Sequence, residues 1–181
     1  KRFSDEINIF DIPDILKGLG SRSFDAEGVK TNTLKLVEQG ILSTLAGAIS
    51  SSAISRGTSF LKDKTNQKIF SDEINVFDKP DILKGLGSRC FDAEGVKTNT
   101  LKLVEQGILK HYLMDTYNGK KLNLKSNGRN DGTSNLFFEK GPTSYKDLLK
   151  LNERTLYITE TIGHGSNLVT GDYSVGANGF I

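Results

Sequence analysis

The sequence predicts an α+β fold in which an antiparallel β-sheet predominates and a few helices pack against it. Three observations carry that expectation. Glycine is abundant at 19 residues while proline is scarce at 3, a balance that suits strands joined by tight glycine turns. Short stretches of alternating apolar and polar residues recur along the chain. The helical stretches fall among them without a regular βαβ alternation.

The elements follow in order. Residues Leu42, Leu45, Ala46, Ile49, Ala53, Ile54 and Phe60 recur at spacings of three, four and seven, the period of an amphipathic helix. "KTNTLKLVEQGIL" (97–109) is a hairpin, with Leu101, Leu103, Ile108 and Leu109 flanking the polar "EQG". Gly107 there can take the positive φ that the turn requires. "KHYLMD" (110–115) continues as the returning strand, with His111 and Leu113 on one side and Tyr112 and Met114 on the other. "MDTYNGKKLNLK" predicts a short helix or turn and "NLFFEKG" a strand. "PTSYKDLLKLNE" predicts a helix capped by Ser144, with Asp147 three residues on. "RTLYITETIG" is a strand, followed by the glycine-rich "GHGSNLVTGDYSVGANGF".

The chain repeats itself. Lys1–Leu42 aligns with Lys68–Leu109 at an offset of 67, and only four pairs differ: Arg2/Ile69, Ile9/Val76, Ile12/Lys79 and Ser23/Cys90. The other 38 of the 42 positions are identical. Solenoid repeats carry degenerate motifs through three or more stacked units, so two near-identical copies with a sharp edge indicate a recent duplication. Residues 1–42 are therefore expected to be a partial duplicate of 68–109, displaced or loosely docked. Residues 43–181 are expected to form the domain itself. The copies compete for one place in the sheet. The second should win, because its return strand is covalently adjacent and the shorter loop costs less entropy to close. The first hairpin loses most of its return strand to the helical continuation "STLAGAIS".

Composition narrows the function classes. With 24 basic and 22 acidic residues the net charge is only +2, without the basic excess or stripe that marks direct nucleic-acid binding. The stretch from Ile41 to Ile54 is too short and too polar to span a bilayer, and no signal-peptide pattern is visible. The chain opens at Lys1 without Met, so a true N-terminus is expected upstream. A single Cys90 rules out an intramolecular disulfide framework. The expected localisation is cytoplasmic.

Several residues invite chemistry and are read as structural. Cys90 has Ser23 as its counterpart, so a buried or neutral small side chain is expected there rather than a nucleophile. His111, His164 and Cys90 are too scattered for a metal site with local ligand spacing. The carboxylates of "FDAEG", Asp92 and Glu94 with Asp25 and Glu27 in the first copy, are expected to be solvated turn residues. Gly163, Gly165, Gly171, Gly176 and Gly179 match no phosphate-loop pattern and are expected to serve bulges and turns. Asp172 and Tyr173 are expected to be a turn carboxylate and a packed aromatic. Lys62–Lys68 is expected to be a solvated surface segment.

In order along the chain, "LAGAISSSAISRGTSFL", "GLGSRCFDAEGV", "LVEQGIL", "YLMDTY", "KKLNLKSNG" and "LVTGDYSVGANGF" resemble the C-terminal domain of the TldD/PmbA family, the modulators of DNA gyrase and metallopeptidases, on its PmbA (TldE) branch. The resemblance runs from about Gly40 to Ile181, with Lys1–Leu42 as a second copy of its middle. It implies a TldD/PmbA C-terminal-domain-like fold in a chain truncated at its end. An N-terminal α/β domain would be absent, and the family's cysteine ligand would lie beyond Ile181. In TldD-type subunits the helix before "RGTS" resembles His-Glu-x-x-x-His, two zinc ligands and a base. Aligned on Gly57-Thr58-Ser59, those ligand positions fall at Leu42 and Gly47, and the base position at Ser43. None of the three can bind zinc or act as a base, so no catalytic, cofactor-binding or metal residue is expected in this chain.

The resemblance therefore implies a non-catalytic PmbA/TldE-like subunit of a cytosolic heterodimeric zinc protease. Zinc would sit in a TldD-like catalytic partner, and the substrate would be a peptide or unfolded polypeptide. Two alternatives accompany it: a metallopeptidase in its own right, and a non-enzymatic modulator binding DNA gyrase or toxin–antitoxin components.

Overall fold

A computed structural model describes residues 36–143, 147, 150, 157–163, 165–172 and 174–180. The chain forms two compact units. One comprises Leu42–Gly141 with Ser166–Tyr173, and the other Lys1–Ile41, Pro142–Gly165 and Ser174–Ile181.

The helical period appears as two helices, α1 (Leu36–Ala48) and α2 (Ser51–Arg56), of which α2 and the part of α1 from Leu42 onward belong to the first unit. Ser50 separates them. Its backbone is extended at φ −64° and ψ 144°, and its side chain accepts from the Ala53 amide, as an N-cap does. Gly57, at φ 71°, ends α2 by donating its amide to carbonyls of the last turn. The helix does not reach Phe60, which is 37% exposed while Leu61 beside it is buried. The sequence put Phe60 on the apolar helical face, and the αL residue at Gly57 breaks the period before it.

A four-stranded antiparallel sheet has the order β3-β2-β1-β4, formed by β1 (Val76–Asp78), β2 (Leu101–Glu105), β3 (Ile108–Leu109) and β4 (Leu136–Phe138). Three of its strands come from the second copy of the repeat. The first 35 residues of the other copy lie outside the described residues. On β1, Val76 and Asp78 are fully buried and Phe77 is half-buried, the period-two alternation of a strand with one face on the core. β2 and β3 turn through Gln106 and Gly107, both at positive φ (47° and 75°), the pairing of a two-residue type I′ hairpin.

The returning strand is shorter than the sequence predicts. After Leu109 one further ladder bond forms, from the Lys110 amide to the Leu103 carbonyl, and the chain then leaves the sheet. Its alternation fails because Tyr112, Leu113 and Met114 are all buried. Leu113 donates to the Ile49 carbonyl at the α1–α2 junction, and the Tyr112 hydroxyl donates to the Leu61 carbonyl. A segment enclosed on both sides has no polar face to alternate with.

The hexapeptide "VEQGIL" adopts two structures. Val104–Leu109 is the β2–β3 hairpin, whereas Val37–Leu42 lies wholly within α1. The sequence had left the first copy a hairpin short of its return strand, and the structure makes it helix instead. The difference lies in the neighbours. Gln106 donates to the Asn75 side chain, Gly107 to the Ile74 carbonyl, and Ile69 and Phe70 donate to the Gly107 carbonyl. The first copy runs into "STLAGAIS", whose Leu45, Ala48 and Ile49 are buried and extend a helix backwards through it. Burial of the helical face overrides a Gly and two β-branched residues, which disfavour a helix by about 1 kcal/mol for the Gly and less for each of the others.

The core joins Leu42, Leu45, Ala48 and Ile49 of α1 to Val76, Leu103, Val104 and Leu109 of the sheet, with Tyr112, Leu113 and Met114. A short helix, α3 (Thr116–Leu122), follows, capped by Asp115 and ended by Asn123 at φ 55°. In the second unit β5 (Tyr157–Ile162) pairs antiparallel with β6 (Gly176–Phe180). The strands expected at "NLFFEKG" and "RTLYITETIG" are thus present. Ser144 lies outside the described residues, as does most of the helix expected to follow it.

Candidate functional site

The ligand positions implied by the family resemblance lie on α1. Leu42 is 6% exposed and belongs to the apolar core. Ser43, one residue on, is exposed. Gly47 carries no side chain, and a Cβ there would meet Leu168 Cδ1 at 3.2 Å. These positions offer zinc no nitrogen, thiolate or carboxylate ligand, so the residues present do not fit the metal. Among the described residues no three His, Cys, Asp or Glu side chains converge as a metal site would need.

The polar groups nearest these helices build structure. Asp115 caps α3, accepting from the Asn118 amide at 2.6 Å and its side chain at 2.7 Å. It also accepts from the hydroxyl of Ser51, which ties α3 to the start of α2. Burial pushes the Asp115 carboxyl up, but the hydrogen bonds from Ser51, Asn118 and the Tyr117 amide outweigh it and hold the carboxyl below its ordinary value.

One expectation about the "FDAEG" loop needs correction. Asp92 is buried at 6% exposure rather than solvated, accepting from the amides of Glu94 and Val96 and, across the fold, from that of Asn130 at 3.1 Å. The local turn is as read, but the 128–130 loop closes over it. Glu94 is exposed and accepts from the Thr116 amide at 2.8 Å. Of the two environments expected for Cys90, buried or neutral, the buried one does not hold, since the residue is exposed. Asp25 and Glu27 lie outside the described residues, as do His164 and Tyr173.

His111 is exposed and lines a surface pocket of about 140 Å³ with Thr65, Lys110, Tyr112, Lys125 and Asn127 among its walls. Lys62–Lys68 is exposed throughout. Asp172 is an exposed turn carboxylate held by the Thr170 hydroxyl at 2.7 Å. Gly163 and Gly171 take positive φ at turns, and Gly176 and Gly179 pair within β6.

Sequence reasoning missed a fully buried polar contact among the described residues. Arg129 and Asp78 form an ion pair with both side chains fully inaccessible. Arg129 also donates to the carbonyls of Asn127, Gly128 and Asn99, and Asp78 accepts from the Ser134 amide at 2.8 Å. A signal was available: alternation along "NVFD" places Asp78 on the same face as Val76. On the opposite face Phe77 stacks on Phe137 at 6.0 Å, and Lys79 sits 5.2 and 5.4 Å from the two ring centroids.

Known proteins are similar to this chain in sequence and fold. The family model for the PmbA/TldA metallopeptidase C-terminal domain matches residues 1–46 and again residues 42–181. A metalloprotease PmbA homolog of Haemophilus influenzae is 36% identical over 92% of this chain and 37% of its own length. Metalloprotease PmbA of Escherichia coli O157:H7 is 38% identical over 80% and 32%. Among solved structures, one from Bacteroides thetaiotaomicron, named for a provisional role as a modulator of DNA gyrase, superposes with a TM-score of 0.74 at 34% identity. It covers 80% of this chain and 33% of that one. TldE from Thermococcus kodakarensis superposes with a TM-score of 0.60 at 26% identity, over 68% and 31%. The chain thus spans about a third of the length of the curated relatives it matches. No described helix is long and apolar enough to cross a membrane. With its antiparallel sheet, its packed helices and a family match over both copies of the repeat, the chain belongs to the PmbA/TldD family, through the metallopeptidase C-terminal domain.

Proposed function

We propose that this chain is part of a PmbA/TldE-type subunit that acts as the non-catalytic companion in a cytosolic zinc-protease heterodimer. A TldD-like partner supplies the metal, and the substrate is a peptide or an unfolded segment. The observation that carries this reading is the chemistry of α1. Zinc hydrolysis requires ligands that converge on the ion with one position left open. Here the corresponding positions are a core leucine, a serine and a glycine packed toward Leu168. An extended substrate needs only backbone partners at a strand edge, which requires little of its sequence.

The test is zinc stoichiometry by elemental analysis of the purified protein, alone and with a TldD-like subunit from the same genome. The expected result is no bound zinc in this protein alone, one zinc per heterodimer, and peptide cleavage by the pair only. Stoichiometric zinc with chelator-sensitive cleavage by this protein alone would instead establish a metallopeptidase in its own right, the reading that the names of its relatives favour.

A further inference from the structure

The pocket at His111 lies outside both copies of the repeat, so each of its residues occurs once in the chain. Its lining has two chemistries. Lys110, His111 and Lys125 bring three basic side chains to it, and none of the described residues that line it is acidic. Beside them Tyr112, Met114 and Leu124 supply an apolar wall. The ammonium groups are available to a ligand. Lys110 Nζ stands 3.9 Å from the Glu105 carboxylate, which Lys102 approaches to 3.0 Å, and a surface pair at the longer distance contributes little. Lys125 pairs with no acidic side chain among the described residues.

The walls are tied to one another. The Asn127 side chain accepts from the Met114 amide at 2.9 Å and donates to the Tyr112 carbonyl at 2.8 Å, which holds the loop after α3 against the segment leaving the sheet. The Tyr112 hydroxyl donates to the Leu61 carbonyl at 2.9 Å and accepts from the Lys64 amide at 3.2 Å. With the bond of 2.7 Å from the Asn66 amide to the Leu109 carbonyl, it fixes the turn that carries Thr65. The Leu124 amide donates to the Gly119 carbonyl at 2.8 Å. The backbone of the pocket is thus set before any ligand arrives, which removes much of the ordering cost of binding.

We propose that this pocket binds a carboxylate that carries a short apolar side chain, the chemistry of a peptide's C-terminal residue. Lys110 and Lys125 take the carboxylate, and the side chain lies against Met114 and Leu124. This rests on the companion-subunit reading given above and deepens it: the subunit holds the end of the chain that its partner cuts. Both halves of the lining select that ligand. A bare phosphate would use the lysines and leave the apolar wall idle, whereas a neutral apolar ligand would leave the ammonium groups without an anion. The volume of about 140 Å³ admits the end of a chain and no more. Thr65 and His111 at the rim are exposed, and the preceding residues of the peptide leave past them.

The experiment is calorimetric titration of the full chain, without zinc or partner. The probes are the peptide N-acetyl-Ala-Ala-Leu as its free acid, the same peptide as its C-terminal amide, isovalerate and inorganic phosphate. The free acid should bind, and the amide about tenfold more weakly, as the loss of a charged hydrogen-bond partner requires. Lys125→Gln should weaken the acid by about tenfold and leave the amide and the Tm unchanged, and Lys125→Arg should restore the difference. Leu124→Ser should weaken acid and amide alike. Equal binding of acid and amide, or an unaltered affinity in Lys125→Gln, overturns the site. Phosphate or isovalerate binding as tightly as the peptide acid overturns the choice of ligand. Failure of all four probes to bind overturns the pocket and leaves the companion reading intact, because that reading is tested by zinc content. Stoichiometric zinc in this protein alone overturns the companion reading and leaves these affinities as they are.

Discussion

Gly40 and Gly107 occupy the same place in the two copies of the repeat, yet alanine should affect them with opposite sign. Gly107 has φ 75°, and a Cβ there would lie 2.3 Å from the Phe70 carbonyl oxygen and 2.5 Å from that of Ser71. Alanine at that φ costs about 1 kcal/mol. Displacing the 69–71 backbone weakens the bonds from Ile69 and Phe70 to the Gly107 carbonyl, at about 1 kcal/mol each. Gly107→Ala should therefore destabilise by about 3 kcal/mol. Gly40 lies inside α1, where replacing glycine by alanine favours the helix by up to about 1 kcal/mol. In urea titrations followed by circular dichroism, a slope of about 2 kcal/mol/M separates the two midpoints by roughly 2 M, on either side of the wild type. Two variants shifted in the same direction would refute the claim that one hexapeptide is a hairpin in one place and a helix in the other.

Three further outcomes follow from the same contacts. Converting the second copy to the first, with Ile69→Arg, Val76→Ile, Lys79→Ile and Cys90→Ser, should cost about 3 kcal/mol. Most of that comes from overpacking at fully buried Val76 and a charge at half-buried Ile69. Cys90→Ser alone should leave the urea midpoint where it was. Arg129→Met strands the buried Asp78 carboxylate and should cost about 3–5 kcal/mol, whereas adding Asp78→Asn to it should recover part of the loss in the same titration. Asp115 has a folded-state pKa below its unfolded value near 3.9. Its stabilisation is thus complete above that value and is lost as pH falls through the lower folded-state one. Asp115→Asn should flatten the acid limb of a stability–pH profile, and an unchanged limb would remove this carboxyl from the account.

What the sequence conveyed depended on how local the deciding contact is. The apolar period from Leu42 to Ile54 and the Gln106–Gly107 turn are set within a few residues, and both are found in the structure. Val37–Leu42 could not be read locally, because its letters are those of the hairpin and only the following "STLAGAIS" distinguishes it. Asp92 was half legible: its turn bonds to Glu94 and Val96 are local, but the Asn130 amide that buries it comes from 38 residues away. The Asp78–Arg129 pair spans 51 residues, and sequence spacing carries no hint of that partner. The residues at the positions that the family resemblance implies for zinc ligands were judged by chemistry alone, and the structure adds only where they sit: Leu42 in the core and Gly47 against Leu168.

Repetition ordinarily relaxes selection, since a spare copy can drift while the original keeps working. That freedom is denied to the final leucine of this hexapeptide. Leu42 and Leu109 reach the same hydrophobic core from a helix and from a strand, so neither is redundant. A substitution at either one empties part of a shared interior, and the twin residue, engaged from its own side, has no way to fill the gap.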